Sequence, residues 1–329
     1  MGNLRIRLAC GPYDRMRPLW EGAVRPDGVD LQFIPVPSPP EVFARMYKHR
    51  EFDAAEMGLT FYLILVARGE APFTAIPVFP SRMFRHGFIF VHRRAGIRDP
   101  RELEGKRIGV PEYRQTAAVW IRGMLQHEYG VNPAKVRWVE GGLETPRRSD
   151  ELSILPGNDI SVEVLNERAS LNDLLLRGEL DGFLGARVPS CFGRSPDIQR
   201  LFPDYRAAER AYYEKTRLFP IMHTLVIRND LLRDEPWVAQ SLYQACCRAK
   251  ALCWQELQFT GAARVMLPWL IADLEEARAV LGEDPWPYGV EANRHALEAV
   301  AGYLVEQGLA PRPVAVDELF PPGMAESYY

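Results

Sequence analysis

Residues Ile76 to Phe90 read I-P-V-F-P-S-R-M-F-R-H-G-F-I-F. An apolar, strand-like run stops at two prolines, Pro77 and Pro80. Ser81, Arg82, Arg85 and His86 follow as a cationic cluster. A second apolar strand then begins at Phe88 and runs to Val91. Buried strands usually connect through solvated turns, and loops on a rigid sheet often carry sites. Two readings follow. The loop holds an anionic small molecule, or it is a surface turn with exposed arginines.

The chain around this stretch has 329 residues, enough for two lobes or one large α/β domain with an ample core. Its 40 basic and 43 acidic residues are intermixed and sum to a net charge of −3. With no Lys/Arg block and no aromatic RNA-binding motif, neither nucleic acid nor an anionic membrane is expected as a partner. No apolar run is long enough to span a bilayer. The start, M-G-N-L-R-I-R-L-A-C-G, runs straight into a strand pattern without the apolar core of a secretory signal. The five cysteines show neither C-x-x-C nor zinc spacing. Reduced thiols and a cytoplasmic location are therefore expected.

Taken in order, Leu4 to Cys10 alternates as a strand, and Val29 to Val36 is a second. Pro39-Pro40 opens a helix. Ala54 to Leu59 is a short strand, and Thr60 is placed to cap the helix that ends at Gly69. After the opening stretch the composition turns polar. Arg107 to Val110 then starts a new series of strands and helices, including an amphipathic helix from Thr116 to Tyr129. Phe219 onward holds one more strand, and the last third is mostly helical, with long helices at Trp237 to Phe259 and Glu291 to Gln307. R-I-R-L-A-C-G-P-Y-D at Arg5 faintly parallels R-I-G-V-P-E-Y-R at Arg107. This points to two similar β/α lobes rather than a solenoid. The expected division is residues 1–95 plus 220–329 for one lobe and 96–219 for the other. Hinges would lie near 93–98 and 217–223.

Ligands of open α/β sheets bind beyond the carboxyl ends of strands. Those ends yield the candidates. Arg82, Arg85 and Arg187 suit a carboxylate, with Ser81 and Ser190 beside them. Thr116 adds helix N-terminal N–H groups. Glu56, His86, Glu112 and His223 are candidate proton carriers, and Tyr13 and Tyr113 candidate ring contacts. Each also has a plainer structural reading. Glu56 pairs with an arginine, His223 is a satisfied histidine beside a strand, and Tyr13-Asp14 makes an Asx turn. No Walker loop, G-x-G-x-x-G, G-x-S-x-G or H-E-x-x-H is present. The chemistry is therefore expected to need neither a nucleotide nor a metal. A catechol-like substrate chelating a metal through Glu56 or His86 is the minor alternative.

Several stretches resemble the 4,5-dihydroxyphthalate decarboxylase family. They include L-A-C-G-P-Y-D-R at Leu8, H-R-E-F-D-A-A-E-M at His49 and A-I-P-V-F-P-S-R-M-F-R-H at Ala75. G-V-P-E-Y-R-Q-T-A-A-V-W-I-R-G at Gly109, P-S-C-F at Pro189 and L-F-P-D-Y at Leu201 follow. F-P-I-M-H-T at Phe219 and G-E-D-P-W-P-Y-G at Gly282 complete the set. The resemblance implies an α/β, two-lobed fold like type II periplasmic binding proteins, with a ligand cleft between the lobes. It also implies loss of CO₂ from 4,5-dihydroxyphthalate to give 3,4-dihydroxybenzoate. Each carboxylate of that substrate lies para to a phenol, so the ring can serve as its own electron sink, and no cofactor is expected. From their strand-end positions, Arg82 and Arg187, with the Thr116 helix end, are expected to anchor a carboxylate, His86 or His223 to donate the proton, and Glu56 or Glu112 to assist the phenol. The expected partners are a small aromatic carboxylate and, at most, further copies of the chain as a homo-oligomer. Two alternatives stay open: a solute-binding protein of an ABC importer, and a related cytosolic enzyme acting on a different aromatic acid.

Overall fold

The computed structural model describes residues 3–146, 154–165 and 169–324. The strands in chain order are β1 (Leu4–Cys10), β2 (Val29–Pro35), β3 (Ala54–Gly58), β4 (Phe73–Arg82), β5 (Ile89–His92), β6 (Arg107–Val110), β7 (Arg137–Glu140), β8 (Val162–Val164), β9 (Gly182–Leu184), β10 (Ile198–Arg200) and β11 (Ile221–Arg228). They form a five-stranded sheet in the order β2-β1-β3-β11-β4 and a six-stranded sheet in the order β10-β5-β9-β6-β7-β8. The chain divides accordingly. One unit comprises Met1–Arg82, Ile221–Leu297 and Val314–Tyr329; the other comprises Met83–Pro220 and Glu298–Pro313.

This division differs from the sequence-based expectation at two places. The chain leaves the first unit at Arg82, not near Arg94, because β5 pairs with β9 and β10 in the second sheet. The two apolar runs that flank the cationic loop thus belong to different sheets. Residues 298–313 also join the second unit, although the helix that carries most of them, Arg294–Glu306, starts in the first.

In the first unit β1, β2 and β3 run parallel, as strands joined by helical crossovers do. The polar-ended helix Pro39–His49 makes one of these crossovers and buries Val42 and Met46. β11 inserts antiparallel between β3 and β4. β3 is buried on both faces, which fits its central position. β4 runs through Pro77 and Pro80 rather than stopping at them. It can do so because it is the edge strand, where a missing N–H breaks no ladder bond. Its pairing with β11 shifts register on both sides of His223. The carbonyls of Pro77, Phe79 and Pro80 accept from the Gly289 N–H, the Trp286 indole N–H and the Arg15 guanidinium.

The second unit packs Phe90, Leu171, Leu175, Leu180 and Phe183 into a continuous core. Each such side chain stabilises the fold by about 1.5–3 kcal/mol when fully buried. The Thr116–Tyr129 helix is closed by Gly130 in the left-handed region. Among the helices not singled out from sequence are Tyr205–Thr216, capped by the Asp204 side chain, and Leu270–Leu281. Each buries at most one residue, so neither carries a strong apolar stripe. Thr60 is not the cap of its helix, which starts at Leu59. No helix among the described residues is long and apolar enough to cross a membrane.

Candidate active site

Three neighbouring strands of the first sheet place polar side chains on one face. Side chains alternate along a strand, so register decides which of them meet. In the β3–β11 pairing Glu56 is opposite Leu225 and Gly58 opposite His223, which sets Glu56 and His223 diagonally on the same face. The β1–β3 register, with Ala9 opposite Ala55, continues to Cys10 beside Glu56.

The Glu56 carboxylate is fully buried and every contact it makes is with a donor. Oε1 accepts from the Tyr13 hydroxyl at 2.7 Å and lies 2.5 Å from His223 Nδ1. Oε2 accepts from the Gly11 N–H at 2.9 Å and from the Cys10 thiol at 3.5 Å. Burial pushes the carboxyl up, but the charge and bond of His223, with the bonds from Tyr13 and Gly11, outweigh it and hold Glu56 below its ordinary value. An ionised Glu56 can only accept, so Nδ1 of His223 carries a proton. The phenol of Tyr13 and the thiol of Cys10 are both raised, first by burial and then by the adjacent Glu56 charge, so both remain protonated donors. His223 Nε2 has no hydrogen-bond partner among the described residues and is not one of the sealed unpaired atoms. Its side chain is 17% exposed, so that nitrogen is the one open to a ligand. Phe43 fixes the ring edge-on at 5.1 Å.

Tyr13 reaches Glu56 by folding back over Gly11. A Cβ at Gly11 would lie 2.7 Å from the Tyr13 ring, so only glycine allows this approach. Ser81 is paired with His223 across the β4–β11 ladder and is half-buried. Arg82, the expected carboxylate clamp, is buried. Its guanidinium bonds the Pro287 carbonyl at 2.8 Å and the Asn293 side chain, and it lies over the Phe79 ring.

The other candidates belong to the second unit. His86 is completely buried, with edge-on contacts to Tyr129, Phe202 and Tyr212 and, among the described residues, no hydrogen-bond partner for either ring nitrogen. Burial lowers its pKa to about 4, so it is neutral near pH 7 and unsuited to donate a proton there. Arg85 is also buried; it bonds the Ala186 carbonyl at 3.2 Å, and burial lowers it to about 10. Glu112 is ion-paired with Arg114 at 2.7 Å. Tyr113, the expected ring contact, is enclosed by protein. It is fully buried, its ring lies 3.7 Å beneath the Arg122 guanidinium, and its N–H donates to Glu140 at 2.6 Å. Arg122 also bonds the Tyr113 carbonyl and Gln307, so one buried Arg grips the whole loop. Thr116 starts its helix and is buried, while Arg187 is exposed. Ser190 donates to Glu144 at 2.6 Å. Among the described residues no group of three or more His, Cys, Asp or Glu side chains is placed to hold a metal ion.

No protein-family profile matches the chain. A Comamonas testosteroni protein named 4,5-dihydroxyphthalate decarboxylase is 41% identical over 329 residues, covering 100% of this chain and 99% of that protein. The chain belongs to the 4,5-dihydroxyphthalate decarboxylase family. A Pseudomonas putida member of the same name is 40% identical over 214 residues, 65% of this chain and 83% of that one. In fold, the chain resembles periplasmic binding proteins. The periplasmic aliphatic sulphonate binding protein SsuA of Escherichia coli superposes with a TM-score of 0.56 at 11% identity, covering 98% and 99% of the two chains. The alkanesulfonate-binding protein SsuA of Xanthomonas axonopodis, bound to MOPS, gives 0.52 at 11% identity over 98% and 99%. At that identity the likeness concerns the fold alone.

Within this decarboxylase-family chain, the structure thus gathers Tyr13, Glu56 and His223, with Ser81 beside them. Sequence reasoning gave no role to Arg15 and Phe43, which pack against that group, or to Trp286, which packs against Arg15. Trp286 lies in the G-E-D-P-W-P-Y-G stretch, one of those that carry the family resemblance. Its density of prolines and aromatics was the available signal.

Proposed function

We propose that the chain decarboxylates 4,5-dihydroxyphthalate to 3,4-dihydroxybenzoate and CO₂, with His223 as proton donor. The observation that carries this reading is the buried Glu56 carboxylate bonded to His223 Nδ1, which leaves Nε2 open, in a chain 41% identical to a protein of that name.

The chemistry follows from the substrate. Ionising the phenol para to one carboxylate pushes electron density onto the carbon that bears it. His223 Nε2–H protonates that carbon, forming a C–H bond. The C–C bond to the carboxylate then breaks, CO₂ leaves, and its electron pair restores the aromatic ring. Glu56 keeps its negative charge throughout and steadies the imidazolium, as a buried carboxylate behind a histidine does. Tyr13 and the Gly11 N–H hold Glu56 in place, so no reorganisation accompanies proton transfer. The ring accepts the electrons that a separate cofactor would otherwise take. Arg187 and the N–H groups at Thr116 are proposed to bind carboxylate. The free state of all five cysteines favours the cytoplasm as the working compartment.

The test mixes the purified protein with 4,5-dihydroxyphthalate and follows CO₂ together with the ultraviolet change. Turnover that falls at least a hundredfold in His223→Ala, with intact folding, supports the assignment. Tight binding without CO₂ would make the chain a carrier. Full turnover in His223→Ala would move the proton donor elsewhere.

A further inference from the structure

We propose that Arg15 is a positioning residue that holds Tyr13 on Glu56 and so sets the orientation of the Glu56–His223 couple. The inference rests on the reading of that couple as the proton-donating pair.

The guanidinium of Arg15 is sandwiched between two aromatic faces, 4.4 Å from the Tyr13 ring centroid and 4.5 Å from that of Trp286. Its Nε donates to the Pro80 carbonyl at 2.7 Å, and a second guanidinium nitrogen reaches the same oxygen. The third, NH1, donates to Asp14 at 2.9 Å. The side chain is only 17% exposed, so these contacts are screened little by water. All its nitrogens are therefore engaged with protein. That argues against Arg15 as a direct substrate anchor and for a role through its neighbours.

Each neighbour is fixed in turn. Pro80 sits in the irregular part of edge strand β4, where its carbonyl accepts from Arg15. The Trp286 indole N–H donates to the Phe79 carbonyl at 2.9 Å, one residue before the carbonyl Arg15 uses. The Gly289 N–H takes the Pro77 carbonyl at 2.9 Å, and Arg82 ties Pro287 to the same strand end. Segment 286–289 is thus laced along the outer edge of β4. Arg15 connects that rigid edge to the Tyr13 ring.

Tyr13 itself lies in a loop, with no side-chain cap at the short helix that follows it. Besides its packing over Gly11, its ring is held by the hydroxyl bond to Glu56 and by the Arg15 face. Only Arg can hold such a sandwich, because its planar cation stacks on both rings while its edge donates to a carbonyl. The Tyr13 hydroxyl shares Glu56 Oε1 with His223 Nδ1. Removing the clamp frees Tyr13, frees one lobe of the carboxylate, and lets the His223 ring swing. A misplacement of about 1 Å can cost on the order of a hundredfold in rate.

The experiment is a double-mutant cycle on 4,5-dihydroxyphthalate turnover, with Arg15→Met, Arg15→Lys, Tyr13→Phe and the double Arg15→Met/Tyr13→Phe, alongside a crystal structure of Arg15→Met. Arg15→Met and Tyr13→Phe are each expected to lower kcat about tenfold with KM within twofold. The double variant is expected to be no more than twofold worse than Tyr13→Phe, because Arg15 acts through Tyr13. Arg15→Lys restores the charge but not the plane and is expected to stay near Arg15→Met; it also serves where the methionine variant folds poorly. Multiplying losses in the double variant overturn the inference, as does wild-type kcat in Arg15→Met. So does a structure of Arg15→Met with the Tyr13 hydroxyl still bonded to Glu56. If instead His223→Ala turns over normally, the proton-donor reading fails, and the Arg15→Met structure alone decides whether Arg15 positions Tyr13.

Discussion

Replacing Glu56 with Gln probes the centre of the site with almost no change in shape. The carboxylate accepts from Tyr13, His223, the Gly11 N–H and the Cys10 thiol, and offers no donor in return. A glutamine keeps one oxygen and turns the other into an NH₂ group. If the oxygen stays with Tyr13 and His223, the NH₂ meets the Gly11 N–H donor to donor. A buried N–H left unpaired costs about 1–3 kcal/mol, and losing charge assistance on the two remaining bonds adds about 1 kcal/mol. The expected loss of stability is ~3 kcal/mol, measured by urea unfolding near neutral pH. The pH dependence gives a second readout. Burial raises Glu56, but the His223 charge and the bonds from His223, Tyr13 and Gly11 bring its folded value below the ordinary 4.5. Its stabilisation is therefore complete above about pH 4.5 and lost as the pH falls through the folded value. The stabilities of the wild-type and Glu56→Gln chains should converge in acid. Turnover should fall by about 10²–10⁴-fold, the usual range for a general acid that has lost its support. If Glu56→Gln unfolded at the wild-type urea midpoint and turned over within threefold of wild type, the buried pair would be neither structural nor catalytic.

Three further outcomes follow from the same geometry. His86→Phe is expected to leave turnover within threefold and to flatten the acid limb of stability. In the wild type the His86 contribution is complete above pH 6.5 and drains away toward about pH 4, costing ~2 kcal/mol by pH 5; an unchanged acid limb in the variant would contradict this. Arg122→Met should lose about 3–5 kcal/mol in urea unfolding, because it removes a buried positive charge that acts on Glu140 and frees the Tyr113 carbonyl. A loss under 1 kcal/mol would show that the loop holds itself. Arg187→Ala, at an exposed position, should raise KM for 4,5-dihydroxyphthalate about 10–100-fold with little change in unfolding, the worth of a charged hydrogen bond; an unchanged KM would remove Arg187 from the carboxylate site.

Much of this molecule was legible in its residues. Alternation and apolar runs placed nearly every strand, because side-chain periodicity is a local property of the backbone. The resemblance along the chain pointed to the family that the 41% identity then showed. Glu56, His223 and Tyr13 were visible as strand-end residues. Their meeting was not. Glu56 and His223 are 167 residues apart and touch only because β11 inserts between β3 and β4 in one register. A shift of one residue would have turned His223 to the opposite face. Local sequence could not separate His223 from His86 either. Both stand near apolar strands with arginine or proline close by, and only burial tells them apart: one imidazole faces an ionised carboxylate, the other three aromatic rings. Arg82 and Tyr113 were similarly ambiguous until their partners came into view. The pattern of polar and apolar residues determined which elements form. Which polar groups face one another, and so which can move a proton, was decided by non-local strand pairing and by the bonds that a buried charge requires.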